Sequence, residues 1–252
     1  MIFIMNISCS ISNKHTYTLT NSLDDSVWDS SSWISVVDVP IVSGNVYDGT
    51  RAADGVSWFL ATVKNDKKVS RAVWMTTGLG VYEIYVNGKL VGDEVLKPGF
   101  THHDKTKLSF TYGITKHFKA SLGAENVLSA QVTPGWWADK IVTPAGHNGM
   151  IGKKCAFRGV LELTYTDGSK KLYGTDTKNW KAGIAGLVTH AAIYDGEEYD
   201  AHIAPGFETP EKLSTPEINA EFKGKIFPTD GAEVYFRQSG ILPLLRLIYG
   251  KE

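Results

Sequence analysis

Apolar and polar side chains alternate with a period of two in several short stretches of this chain, the pattern of strands that bury one face. In "VYEIYVNGKLVGDEVL", Val81 to Leu96, the residues Tyr82, Ile84 and Val86 share one face while Val81, Glu83 and Tyr85 share the other. Asn87-Gly88 then supplies the two positive-φ positions of a type I′ turn, so the stretch predicts a hairpin. "GVLELTYTDGSKKLYG" repeats the arrangement, with Leu161, Leu163 and Tyr165 alternating with Glu162 and Thr164 ahead of an Asp167-Gly168 turn. Trp58 to Val63, Ser70 to Thr76, "KLSFTYGITKHF", "ENVLSAQVT" and Thr189 to Tyr194 are further strand candidates. Short strands with turn signals between them predict an all-β fold, a jelly-roll-type β-sandwich.

Helical signals are sparse and predict only a few short turns. "GITKHFKASLG" is one, with Thr115 as its N-cap and Gly123 as its stop. "DDSVWDSSSWISV" reads as a loop leading to a strand. The pattern divides the chain into lead-in strands and loops over 1–57, the sandwich over 58–206, and extra strands over 207–252 that open an incomplete second β unit. Ile241, Leu242, Leu244, Leu245, Leu247 and Ile248 in that last segment form an apolar cluster. Such a tail either packs onto a neighbour or closes onto the sandwich.

Composition sharpens this picture in one direction. Seven Trp, 11 Tyr, 10 Phe and 25 Gly suit a sandwich whose loops bind ligands. The balance of 26 Lys+Arg against 27 Asp+Glu, with no long run of either sign, argues against nucleic acid or an anionic membrane as partner. The N-terminal apolar run lacks a basic flank and no apolar window is long enough to span a bilayer, which predicts no intact export signal and a cytoplasmic location by default. Cys9 and Cys155 have no C-x-x-C spacing, so a zinc site is not expected, and little supports a disulfide between them.

Candidate chemistry is concentrated in two places. In "TPGWWADK", Thr133 to Lys140, Leu128, Ala130 and Val132 of the preceding strand are the core-facing set. Continuing that parity puts Trp136 in the core and Trp137 outside, beside Asp139 and Lys140. An exposed indole with polar neighbours is the kind of surface that holds a sugar; the other reading is an indole lying over a sheet edge. In "YDGEEYDAH", the acids Asp195, Glu197, Glu198 and Asp200 are a solvated turn, oxygen ligands for calcium, or the carboxylate pair of a glycosidase. His102-His103-Asp104 predicts a polar loop, because neighbouring residues of an extended chain point to opposite faces. No G-x-S-x-G elbow and no phosphate-binding loop occurs.

"LGVYEIYVNGKLVGDEVLKPGFTHHDKTKLSFTYGIT", "ENVLSAQVTPGWWADK", "FRGVLELTYTDGS", "WKAG" and "IYDGEEYDAH" together, in this order and spacing, resemble the N-terminal β-sandwich region of bacterial α-L-rhamnosidases. The resemblance runs from about Trp58 to about His202, and its most specific part is Gly-Trp-Trp combined with the later Tyr-Asp-Gly-Glu-x-Tyr-Asp. It implies a glycoside hydrolase family whose (α/α) barrel holds the acid and base, and an accessory region here, inactive without that barrel. It further implies terminal rhamnose or a rhamnose-containing glycan as ligand, contacted by Trp136, Trp137, Asp139 and Lys140, with calcium at Asp195, Glu197 and Asp200. Many relatives carry Asp or Asn just before Gly-Trp, whereas Thr133 and Pro134 stand here; Asp139, Asn148 or the Asp195 turn would then supply calcium ligands instead. The alternative function is structural, a domain that packs against its barrel and binds no sugar.

Overall fold

The period-two stretches pair into two sheets that face each other across one aromatic core. The structure is a computed structural model and describes residues 23–37, 39, 55–139, 151–194 and 196–229. A capped 3-10 turn at Asp25–Ser30 leads into β1 (Ile34–Ser35), followed by β2 (Ser57–Lys64), β3 (Val69–Leu79), β4 (Val81–Val86), β5 (Lys89–Val91), β6 (Thr106–Gly113) and β7 (Glu125–Thr133). After the short helix α1 (Gly135–Ala138) come β8 (Ala156–Tyr165), β9 (Lys170–Gly174), β10 (Trp180–Ile184), β11 (Val188–Ala192), β12 (Gly196–Tyr199), β13 (Glu217–Ile218) and β14 (Lys225–Pro228). One sheet runs β13-β1-β8-β3-β6-β14 with β9 paired to β8; the other runs β10-β2-β7-β4-β5; β11 and β12 form a separate hairpin. The result is the expected all-β sandwich, antiparallel except where β14 lies parallel to β6.

Both predicted hairpins form. Asn87 and Gly88 have φ of 52° and 75°, the left-handed pair that lets β4 turn tightly into β5. Asn87 also leaves the turn: its amide oxygen accepts from Val127 N at 3.0 Å, and its Nδ2 donates to Asn126 Oδ1 at 3.0 Å. Asn126 is fully buried and also ties down Lys119, so the turn residue and the loop before β7 share one satisfied polar network. Thr115 differs from expectation. It does not cap the 3-10 turn Thr115–His117; its hydroxyl accepts from Ala72 N at 2.9 Å, because the turn packs against β3 and an unpaired strand amide there needs a partner.

Tyr82, Ile84 and Val86 face the core from β4, and Leu128, Ala130 and Val132 from β7, as alternation requires. The opposite side of that sheet is also covered. Trp58 stacks on Tyr85 at 5.5 Å and meets Phe207 edge-on at 5.7 Å, which brings the 3-10 turns Gly206–Glu208 and Pro210–Lys212 onto the sheet. The described part of the segment 207–252 therefore lies on the sandwich, and β13 and β14 extend the edges of its larger sheet. The apolar cluster from Ile241 on and Cys9 lie outside the described residues. Cys155 is a free thiol, pushed up to about 12 by burial. Among the described residues no helix is long and apolar enough to cross a membrane.

One ion pair sits inside this apolar frame. Glu94 accepts from Tyr112 Oη at 2.7 Å, and Lys97 Nζ lies 3.9 Å from the same carboxylate oxygen while also reaching Tyr112 Oη and the Val91 carbonyl. Both charges are buried, and the ammonium lies over the rings of Tyr82 and Tyr112. Breaking a buried pair from one side strands the other charge, at a cost of about 3–5 kcal/mol. Glu94→Ala is expected to lose stability on that scale in urea denaturation, whereas Glu94→Ala combined with Lys97→Met recovers a large part of the loss.

Candidate functional site

The Gly-Trp-Trp turn is where local sequence and tertiary packing part company. Pro134 has helical backbone angles and residues 135–138 follow as one turn of helix, with Trp137 N and Ala138 N both donating to the Pro134 carbonyl. Gly135 makes the entry at φ 51°, where a Cβ would lie 2.6 Å from Val81 Cγ2 and 2.9 Å from Val81 N. A helical turn rotates successive side chains by about 100° instead of 180°. The expected parity is thereby reversed. Trp137 is the buried ring, only 2% exposed, packed with Trp33, Leu79 and Phe222, and its indole N–H donates to the Lys154 carbonyl at 3.0 Å. Trp136 is the half-buried ring at the surface, edge-on to Phe100 at 5.9 Å.

The remaining expected site residues also separate. Asp139 is buried and accepts from Ile193 N at 3.0 Å, so it ties the tryptophan turn to the residue that follows β11. Lys140 and Asp195 lie outside the described residues, as does Asn148. Asp200 accepts from His202 N and pairs with His202 Nδ1, both at 2.9 Å, and these bonds hold its carboxyl below the usual range. Glu197 is exposed on β12. Among the described residues no three His, Cys, Asp or Glu side chains come together in a way that could hold a metal ion.

What Asp139 does position is a cleft. By holding the β11–β12 hairpin against the tryptophan turn, it encloses about 310 Å³ between that hairpin and the outer face of β4 and β7. Gly135 and Glu197 both line it, so the two most distinctive motifs of the sequence meet at one place. On its floor, Glu83 Oε2 accepts from Gln131 Nε2 at 2.6 Å and from Tyr85 Oη at 2.7 Å, and Gln131 Nε2 also donates to Tyr85 Oη at 3.0 Å. Burial and the Glu83 carboxylate beside it raise the Tyr85 phenol far above its ordinary value, so it stays a donor. Thr133 Oγ1 donates to the Val81 carbonyl at 3.3 Å. These bonds use up the side-chain donors and leave spare acceptors on residues that line the cleft: Glu83 Oε1, the Gln131 side-chain carbonyl, the Thr133 lone pairs and the Glu197 carboxylate. Val81, Leu96, Val188 and Ile193 supply apolar wall. A ligand rich in hydroxyl donors with an apolar edge fits such a lining. Glu83 and Gln131 escaped the sequence reading because outward polar positions on strands are usually just solvated; only their register opposite one another marks them.

The other side of the tryptophan turn is chemically different. Lys107 on β6 is 1% exposed, lies 4.7 Å over the Trp137 ring, and its Nζ is 3.0 Å from His103 Nδ1. Burial pushes its ammonium down to about 8, and burial with the nearby positive charge pushes His103 down to about 4. His102 pairs with exposed Asp104, and the backbone here is not extended but a turn in which Lys105 N and Thr106 N both donate to the His102 carbonyl.

These positions carry opposite expectations for stability. Trp137→Ala is expected to cost about 3–5 kcal/mol through the cavity it leaves, while Trp136→Ala costs under about 1 kcal/mol, both read by chemical denaturation. Lys107 binds its proton in both states below about pH 8; between about 8 and its unfolded value of 10.5 only the unfolded chain keeps it. Relative to Lys107→Met, the wild-type chain should therefore gain stability as pH rises through that window, measured by urea midpoints at its two ends; a flat difference would contradict the buried charge.

The comparisons with known proteins agree with this architecture. Residues 67–227 match the sequence model of the family described as "Alpha-L-rhamnosidase N-terminal domain". An α-L-rhamnosidase of Streptomyces avermitilis is 36% identical over 148 residues, covering 56% of this chain and 14% of that protein. One from Formosa agariphila is 28% identical over 197 residues, covering 73% of this chain and 20% of that protein. Among solved structures, the S. avermitilis α-L-rhamnosidase complexed with L-rhamnose superposes with a TM-score of 0.65 at 28% identity, over 74% of this chain and 18% of that one. Native α-L-rhamnosidase from Aspergillus terreus gives 0.73 at 25% identity, over 84% and 24%. The chain thus spans 14 to 24% of the length of these relatives. Since the family match covers well over half of its residues, the chain belongs to the α-L-rhamnosidase N-terminal domain family.

Proposed function

We propose that this chain is an accessory carbohydrate-binding β-sandwich of the α-L-rhamnosidase type, which takes a terminal rhamnose in the cleft between β4, β7 and the β11–β12 hairpin and does no chemistry itself. The observation that carries the reading is the set of acceptors on Glu83, Gln131, Thr133 and Glu197, together with an apolar wall, around one half-open cleft of about 310 Å³. Rhamnose is a deoxy sugar whose hydroxyls donate to such acceptors and whose methyl group suits the side of Val81 and Leu96. The bound L-rhamnose of the S. avermitilis relative supports the choice of sugar. Trp136, not Trp137, is the tryptophan left at the surface beside this turn. Calcium at Glu197 and Asp200 is a separate element of the proposal, to be tested by the same titration.

A structural role is the second reading. Ile218 and Phe227 stand exposed on the edge strands β13 and β14, apolar surface that a neighbouring domain would cover.

The test is calorimetric or NMR titration of L-rhamnose into the 252-residue chain. Losing a hydrogen bond to a charged group costs about 1.5–3 kcal/mol, so Glu83→Gln should weaken binding about ten- to a hundredfold, and Gln131→Ala by a similar factor because it also releases Glu83. Equal affinity in calcium and in chelator would remove calcium from the site. No binding in either condition would favour the packing role, and turnover of an aryl rhamnoside that Glu197→Gln abolishes would replace both readings with an enzymatic one.

A further inference from the structure

The floor of the cleft is fastened by a later segment of the chain. Across the outer face of the smaller sheet, Trp58 of β2, Gln131 of β7 and Glu83 of β4 stand in one row, each the register partner of the next. Tyr85, two residues beyond Glu83 on the same face, stacks on Trp58 at 5.5 Å. Phe207 meets both rings, Tyr85 at 5.5 Å and Trp58 at 5.7 Å. It belongs to a strap, residues 206–214, that is held independently at both ends. A Cβ on Gly206 would collide with the Trp58 indole, Leu213 is buried with Val56, Trp58 and Leu60, and Ser214 exchanges two backbone hydrogen bonds with Ala182 of β10.

The hydrogen bonds at the floor form a closed triangle with no donor to spare. A carboxylate can only accept, so Glu83 Oε2 takes one hydrogen of Gln131 Nε2 at 2.6 Å and the Tyr85 hydroxyl hydrogen at 2.7 Å. The phenol oxygen accepts the second hydrogen of Nε2 at 3.0 Å. With both amide hydrogens engaged, the Gln131 side chain has only its carbonyl oxygen left to offer, and Glu83 has only Oε1. Without the hydroxyl, one Nε2 hydrogen is released, the carboxylate loses a donor, and both side chains recover rotamer freedom. Tyr85 itself does not line the cleft, so its influence passes through Glu83 and Gln131, which do. Held between Trp58 and Phe207, the ring has little room to swing its hydroxyl off Glu83.

We propose that Tyr85 is a positioning residue of the cleft and that the strap keeps it in place through Phe207, so that docking of residues 206–214 sets the polarity that Glu83 and Gln131 offer a ligand. The inference rests on the reading of that cleft as a sugar site, yet the state of the triangle can be measured without any sugar. Val188 supplies an apolar link in the same direction, since it packs against the cluster of Trp58 and Leu213 and also lines the cleft.

The test follows the Gln131 side-chain NH2 signals by proton–nitrogen NMR, and L-rhamnose affinity by calorimetry, in the full chain. Tyr85→Phe keeps the ring between its neighbours and deletes the hydroxyl; Phe207→Ala deletes the strap's contact and leaves the hydroxyl in place. Both should move the Gln131 signals and weaken rhamnose binding about three- to tenfold, the scale of one ordinary hydrogen bond. Ile218→Ala, on β13 of the other sheet, should change neither. Gln131 signals that either variant leaves in place would overturn the proposal, and so would an unchanged rhamnose affinity beside shifted signals, because the triangle would then serve folding alone. If Phe207→Ala does not fold, Phe207→Leu, which keeps apolar bulk without the ring, is measured instead. A wild-type chain that binds no rhamnose sinks the sugar reading, and the amide signals still decide whether Tyr85 and the strap hold the floor.

Discussion

The two sheets are held face to face by the ring of Phe157. It extends from β8 in the larger sheet and meets Trp74 of the same sheet at 6.1 Å, and across the core it meets Phe59, Tyr82 and Trp180 of the smaller sheet at 6.0, 6.1 and 5.7 Å. Each of the five residues is buried and comes from a different strand. Large rings in tilted and edge-on contact fill the space between sheets about 10 Å apart with few side chains and little conformational entropy. The relative placement of β2, β3, β4, β8 and β10 follows from this cluster.

That placement also fixes the groups around the tryptophan turn. β4 and β7 are locked at the core by Tyr82, Ile84, Ala130 and Val132, so their outward residues Glu83 and Gln131 are held rigidly opposite one another. Lys107 is held just as firmly, under Trp137 and beside β14. The helix at Gly135–Ala138 follows β7 directly. It contributes Gly135 to the cleft, and its Trp136 meets Phe100 edge-on at 5.9 Å. Rigid strands with functional groups at their outward positions, bridged by a turn, suit recognition, where pre-set geometry limits the entropy lost on binding.

Much of the fold was legible because it depends on local rules. Alternation identified the faces of β4, β7 and β8, and Asn87-Gly88 and Asp167-Gly168 identified the turns. The site was less legible. Gly-Trp-Trp and the acidic stretch after Tyr194 do meet at one cleft, yet strand parity carried across Pro134 assigned the tryptophans the wrong way round, because a single helical turn replaced the strand. Asp139 looked like a ligand-facing acid and is instead a buried brace for the β11–β12 hairpin. The pairing of Glu83 with Gln131, 48 residues apart, is invisible to any local pattern.

By itself, then, the chain's sequence determined the strands, their inward faces, the hairpin turns and the family pattern, all of which rest on steric preferences and periodicity within a few residues. Only the tertiary structure decided which tryptophan is buried, which acids brace and which line a cleft, and that Lys107 lies beneath Trp137 with His103 as its partner. Burial and hydrogen bonding at those positions are set by strands far apart in the chain, and the charge or donor left over after such packing is a property of the assembled fold.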